Sequence, residues 1–279
     1  MPTIDDNVQE WGSRYDWSRQ GADWSDPWGG TEYLWWGTVY PRVMSFLPAG
    51  HILEIAPGYG RMTEFLRRFC SRLTLVDLNE RCIAACRDRF ADADGIEYHV
   101  NDGRSLAMVA DGSIDFAFSF DSLVHADADV VEAYLVQLAT KLRPDGVAFL
   151  HHSNCGSYLM PIRRWAQRAG ADALGDRVSR RLNRNWRSED MTAERFAALA
   201  AGAGLRCIGQ ESINWLSRLP NDCFSTMALE GSKADREPRA MRNLGFMAEM
   251  RRLRRLAELY GEASGSGAAT TSHHESTRA

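Results

Sequence analysis

LEIAPGYGRMTEFL, residues 53–66, is the stretch on which the fold turns. The apolar run HILEIA at 51–56 predicts a buried strand. Met62, Phe65, Leu66 and Phe69 then recur at helical spacing and predict a helix over GRMTEFLRRF. Between them lies a turn with Gly58 and Gly60. Glycine tolerates the backbone angles of so tight a turn and lets main chain approach a ligand closely. The first N–H groups of the following helix lack partners inside it and face the same ligand. Strand, glycine turn and helix in this order place a nucleotide-type site at the carboxyl end of the strand.

The same rhythm continues on the C-terminal side. LTLVD (73–77), GIEYHV (95–100), IDFAFSF (114–120) and VAFLHHS (147–153) predict four more strands, with helices over 79–90 and 129–142 and a turn at Arg143-Pro144-Asp145-Gly146. Strands alternating with helices imply right-handed crossovers and a mostly parallel sheet. TAERFAALAAGAG (192–204) reads as a helix. LRCIGQESI (205–213) and CFSTMALE (223–230) are joined too closely for a crossover helix and predict an antiparallel hairpin. The expected fold is α/β, a doubly wound, mostly parallel, seven-stranded sheet whose last strand is antiparallel. Four regions are expected: an aromatic N-terminal cap or lid over 1–48, a ligand-binding domain over 49–231 with a helical insertion at 154–190, a charged helix over 232–262, and a disordered, small and polar tail over 263–279.

Two details narrow the ligand. Gly58-Tyr59-Gly60-Arg61-Met62-Thr63 lacks the third glycine of a dinucleotide fingerprint. Glu54, inside the strand, suits a ligand with an ammonium and a sulfonium better than a pyrophosphate. Asp77 ends the second strand, where a carboxylate can accept both ribose hydroxyl protons. Asn101-Asp102-Gly103 follows the third, where Asp102 can accept from an adenine amino group. EIAPGYG, LVDLN, NDG and SFDSLVH, in this order, resemble the motif series of class I S-adenosylmethionine-dependent methyltransferases over about residues 51–153. Ala56 departs from the glycine usual at its position. The resemblance implies S-adenosyl-L-methionine as cofactor. Glu54 would hold the methionine end and Ala56, Gly58 and Gly60 would line the turn. Asp77 would hold the ribose and Leu78 would lie against the adenine. Asn101, Asp102, Gly103 and Phe120 would complete the site.

Methyl transfer to a hydroxyl needs alignment and a base. His125, following the fourth strand, and His152, ending the fifth, are the candidate bases, polarised by Asp121 or Asp222. Neighbouring strand residues face opposite ways, so only one of His151 and His152 can face the site, and His152 is favoured as nearer the ligand end. A divalent metal on Asp121, Asp222 and a histidine is the less favoured arrangement, because no tight carboxylate pair follows the fifth strand. FDSLVHAD and HHSN are similar to sugar O-methyltransferases of natural-product (antibiotic) biosynthesis. That similarity implies a deoxysugar hydroxyl as acceptor, often nucleotide-linked. Trp28, Tyr33, Trp36, Ser122, Asn154 and Trp215 are the expected acceptor contacts, and the arginines of 163–187 are candidates for a diphosphate. The alternatives are an N- or C-methyltransferase on another metabolite, a NAD-dependent oxidoreductase, and a cofactor-binding protein without turnover.

Composition agrees with a soluble enzyme. The chain has 279 residues, 44% hydrophobic and 25% charged, with a formal net charge of -4. That charge gives no pull toward nucleic acid or membrane. No stretch reaches the roughly 20 apolar residues of a membrane span. MPTIDDNVQEWGSRYD has no apolar signal core, so a cytoplasmic protein is expected. The six cysteines form no Cys-x-x-Cys pair, and Cys82 and Cys86 read as buried small residues. Tryptophan and tyrosine crowd the first 36 residues and make a homo-oligomer contact plausible.

Overall fold

A computed structural model describes residues 3–183 and 185–261, so the tail expected at 263–279 lies outside the described residues. The strands are β1 (Ala49–Ile55), β2 (Cys70–Asp77), β3 (Ile96–Val100), β4 (Ile114–Ser119), β5 (Leu142–Ser153), β6 (Leu205–Ile213), β7 (Asp222–Leu229) and β8 (Arg239–Asn243). They form one sheet in the order β3-β2-β1-β4-β5-β7-β6-β8. The first five pair in parallel, β7 runs antiparallel between β5 and β6, and β8 lies parallel to β6. This is the expected α/β class, with eight strands where seven were expected.

Both faces of the central strands are buried, which is why those strands read as unbroken apolar runs. Side chains alternate between two cores. Ile52, Phe116, Phe118 and Phe149 pack with Trp28, Leu34, Trp35 and Val39 of the cap, with Phe65, and with Phe246 of the C-terminal helix. Leu53, Ile55, Ala117 and Leu150 pack on the other face, under Leu135 and Leu138 of the Ala128–Lys141 helix and Phe196 of the Ala193–Gly202 helix. Arg42 fastens the cap to β6 through two 2.7 Å bonds to the Glu211 carboxylate.

Three local expectations change. Residues 232–262 are not one helix: β8 occupies Arg239–Asn243 and the helix begins at Phe246. β8 carries no apolar alternation and is mostly exposed, so it leaves no periodic signal. The segment after Gly60 gives a single helical turn, Thr63–Leu66, before a 3-10 turn, although Met62, Phe65 and Leu66 are buried as expected. Arg143–Gly146 is a bulge within β5, between the pairs Ile114–Leu142 and Phe116–Val147. A side chain at Gly146 would sit 2.6 Å from the Ile114 carbonyl oxygen, so the bulge needs glycine there. The 154–190 region holds two helices, Gly156–Arg168 and Asp172–Leu182. Among the described residues no helix is long and apolar enough to cross a membrane.

Candidate active site

The ends of β1, β2 and β4 open into one cavity, lined by Glu54, Ala56, Gly58, Asp77, Leu78, Phe120, Asp121 and Ser122 among others. Ala56, Gly58 and Gly60 all adopt left-handed φ, at 57°, 58° and 80°. A side chain at Gly58 would meet the Trp17 ring at 2.9 Å, and one at Gly60 would meet the Phe90 ring at 2.5 Å. Both glycines are therefore required by φ and by space. Ala56 takes the same kind of φ at a steric cost, which accounts for glycine being usual there.

Two carboxylates point into this turn, neither with a salt-bridge partner among the described residues. Glu54 accepts one bond, 2.6 Å from the Thr63 hydroxyl, and burial pushes its carboxyl up to about 7. Asp77 accepts from the Gly58 and Asn79 N–H groups at 3.1 and 2.8 Å, and burial pushes it up to about 6. A ligand bringing a cation to Glu54 and paired hydroxyls to Asp77 satisfies both groups, so these residues fit a sulfonium nucleoside with an amino-acid end. Among the described residues, no cluster of three or more His, Cys, Asp or Glu is placed to hold a metal ion.

The cavity is roofed by the start of the chain. Ile4 packs over Gly103, and a side chain at Gly12 would collide with Asn79. Trp17 stacks in parallel on Tyr59 at 4.3 Å. Trp11 and Trp24 line the same cavity, with Trp11 5.2 Å from the His125 ring. His125 Nδ1 lies 2.8 Å from the Trp186 carbonyl oxygen, to which only an N–H can bond. That fixes the neutral tautomer with Nε2 as the basic atom, and Nε2 has no hydrogen-bond partner among the described residues. Burial, aided by Arg187, pulls His125 down to about 4, so the imidazole is neutral throughout the neutral pH range.

Residues 52–146 match the methyltransferase domain family. Nodulation protein S of Sinorhizobium fredii is 29% identical over 135 residues, 46% of this chain and 56% of that protein. An rRNA adenine N-6-methyltransferase of Streptomyces fradiae is 33% identical over 66 residues, 24% of this chain and 21% of that protein. The chain thus spans little more than half the length of the first curated relative and far less of the other. In structure it resembles the DhpI–SAH complex, with TM-score 0.54 and 18% identity over 82% of this chain and 98% of that one. It also resembles a putative sarcosine dimethylglycine methyltransferase from Galdieria sulphuraria, with TM-score 0.51 and 16% identity over 71% and 84% of the two chains. At such identities the likeness is one of fold.

Within the matched residues and around them, the expected residues part company. Gly103 lines the cavity, but Asn101 and Asp102 do not. Asn101 binds the Ser105 carbonyl and the Tyr134 hydroxyl. Asp102 is exposed and accepts from the Arg104 and Ser105 N–H groups, which hold its carboxyl low. His152 faces the other side of the sheet. It is fully buried, stacks on Phe196 at 4.0 Å and lies 2.8 Å from the Ser225 hydroxyl, and burial pulls it down to about 3. The face toward Asp121 and Asp222 belongs to His151, because β5 alternates and the odd positions share the Phe149 side.

Asp222 is held by Arg187 through bonds of 2.6 and 2.7 Å; burial opposes its charge, yet Arg187 keeps its carboxyl down to about 2. Asp121 pairs with Arg61 at 2.9 Å. Of the expected acceptor contacts, only Ser122 lines the cavity. Trp28 and Trp215 pack on each other at 4.8 Å in the core, and Trp36 is 43% exposed. Tyr33 is part of the packing against that core. Asn154 is spent on the Pro220 carbonyl and the Ala193 N–H. Arg164, Arg168, Arg177, Arg180 and Arg181 are exposed and outside the cavity lining, and Arg184 lies outside the described residues. Sequence reasoning assigned no site role to Arg61 or Tyr59, read Arg187 only as one of the diphosphate candidates, and did not single out Trp11, Trp17 or Trp24 within the aromatic cap. Arg61 alone carried a usable signal, as the residue directly after the Gly-x-Gly turn.

Proposed function

We propose that the protein is an S-adenosylmethionine-dependent methyltransferase acting on a small molecule, and that the accepting atom is a hydroxyl oxygen, with a sugar as the first acceptor class to test. One observation carries this reading. A single cavity collects two buried carboxylates without salt-bridge partners among the described residues at the ends of β1 and β2, a left-handed glycine turn, and a neutral histidine whose basic nitrogen is free. Glu54 and Asp77 would hold S-adenosylmethionine, which would supply an electrophilic methyl group to the acceptor oxygen and carry away the displaced electron pair. The hydroxyl proton passes to His125 Nε2. Alignment of oxygen and methyl supplies several kcal/mol, and the base about 100-fold or more. Trp11 and Trp24 offer flat apolar faces for a sugar ring and exclude water. The arginines over 163–181 stand away from the cavity, so the reading names no nucleotide carrier.

Calorimetric titration with S-adenosylhomocysteine, S-adenosylmethionine and NAD tests the cofactor. Binding of NAD alone ends the reading. A panel of glycosides and nucleotide sugars with labelled methyl donor then locates the new methyl group. His125→Ala is expected to keep S-adenosylhomocysteine affinity within a few fold and to lower turnover by about 100-fold. Undiminished turnover removes His125 as the base.

A further inference from the structure

Behind the cavity wall lies a second polar assembly, which reaches the cavity through Arg187. His151 and Asp222 have no exposed surface. The His151 ring is enclosed by Phe120, Trp215 and Phe224 at 5.2, 5.0 and 4.7 Å. Its Nδ1 accepts the main-chain N–H of Asp121 at 3.0 Å, and its Nε2 lies 3.3 Å from Asp222 Oδ2, close enough for charge attraction but without hydrogen-bond geometry. Asp121 has φ 62°, a left-handed conformation that costs a residue with a side chain about 1 kcal/mol or more. No other acceptor for that N–H exists among the described residues.

We propose that His151 is a positioning residue, which holds the Phe120-Asp121-Ser122 turn in its left-handed shape by accepting the Asp121 amide, and that the Arg187–Asp222 pair fixes the imidazole tautomer that makes this possible. Nδ1 can accept only when its proton is absent, and the ring proton must then sit on Nε2, facing Asp222. Arg187 keeps Asp222 a carboxylate, so a negative charge always stands on the Nε2 side of the ring and favours the proton there. The neutral ring is thereby oriented as in a catalytic triad, but it is aimed at a main-chain amide instead of a nucleophile. The turn so held places three cavity groups at once. Phe120 lines the wall, the Asp121 carboxylate meets Arg61, and the Ser122 hydroxyl donates to the Ala56 carbonyl at 2.8 Å. Through that last bond His151 also steadies the glycine turn on the neighbouring strand.

The binding part of the test rests on the methyltransferase reading; the spectroscopic part does not. In 15N-histidine-labelled protein, long-range proton–nitrogen spectra report which ring nitrogen carries hydrogen, and His151→Asn assigns the signal by removing it. The expected result is hydrogen on Nε2 in the wild type and loss of that single form in Asp222→Ala. Hydrogen on Nδ1 of the wild type, or an unaltered signal in Asp222→Ala, overturns the proposal. In parallel, His151→Leu leaves the Asp121 amide without an acceptor, whereas His151→Asn offers an oxygen near the Nδ1 position. S-adenosylhomocysteine affinity is expected to fall about 10-fold in the leucine variant and to return to within about 3-fold in the asparagine variant. Equal affinity in all three, or equal loss in both variants with cooperative unfolding retained, overturns it. If the wild type binds no S-adenosylhomocysteine, the methyltransferase reading falls, and the tautomer result still decides the role of His151.

Discussion

Glu54 and Asp77 are the residues on which the cavity's chemistry can be read most directly. Each is a buried carboxyl with no salt-bridge partner among the described residues, and each is raised, to about 7 and about 6. A group whose folded value lies above its unfolded one destabilises the fold in its charged form, an effect complete above the folded value and absent below the unfolded one. Glu54→Gln is therefore expected to raise Tm at pH 8, with the gain fading as pH falls from about 7 and gone below about pH 4.5, as thermal unfolding across pH will report. The same shift has the opposite sense for ligand. A cation recruits the Glu54 carboxylate, so S-adenosylhomocysteine affinity should weaken as pH falls below 7, by up to about 10-fold per unit. Calorimetry from pH 8.5 to 5.5 measures it, and a flat profile refutes it. Ala56 supplies a second, independent prediction. With φ 57° it pays the left-handed cost that glycine avoids. Ala56→Gly should gain about 0.5–1 kcal/mol in chemical denaturation. Glu54, Asp77 and the glycines were legible in the sequence because each sits at a strand end, where the chain's own geometry dictates what a side chain can reach. His151 and His152 were not. The run from Val147 to Leu150 is apolar on both faces, so its alternation could not say which histidine turned inward.

At the scale of elements, the antiparallel β7 is what brings Asp222 to the same edge as the ends of the parallel strands, opposite Ser153 of β5. The hairpin was foreseen from the short connection between two apolar runs, and Asp222 was expected beside a site histidine. Its partner was not foreseen, since Arg187 comes from an irregular stretch after the Asp172–Leu182 helix and no periodicity marks it. Removing one member of a buried pair leaves the other charged and unpaired. Asp222→Ala is expected to destabilise by about 3–5 kcal/mol in urea unfolding, more than any exposed pair such as Arg254–Glu258, whose loss should cost under about 1 kcal/mol. β8 shows the converse limit. Five polar or exposed residues form a strand because β6 offers them an open edge, and tertiary pairing of that kind leaves no local trace.

Over the whole molecule, the order of strands and helices fixed the architecture, because right-handed crossovers leave few ways to assemble the sheet. The cap was expected as a unit from its aromatics, but its division of labour was hidden. Residues from Trp28 to Val43 complete one core of the sheet, while Ile4, Trp11, Trp17 and Trp24 face the cavity. Nothing in a list of tryptophans separates those that fill a core from those that line a ligand site; only the path of the chain over the strand ends does.

That path has a kinetic corollary. Between Thr3 and Trp24 the chain crosses the Gly103 turn, the Asn79 helix start and the Gly58 turn in succession, with the Ile4 side chain, Gly12 and the Trp17 ring closely approaching each in turn. A nucleoside seated beneath would be strapped in at both ends, and the spent molecule could leave only after that strap had peeled away. Departure, not bond making, is then the slow event of each cycle. A first turnover faster than the steady rate, together with a steady rate that drops as glycerol thickens the medium, is the expected signature. Progress curves that are linear from the first milliseconds would mean that the strap opens freely.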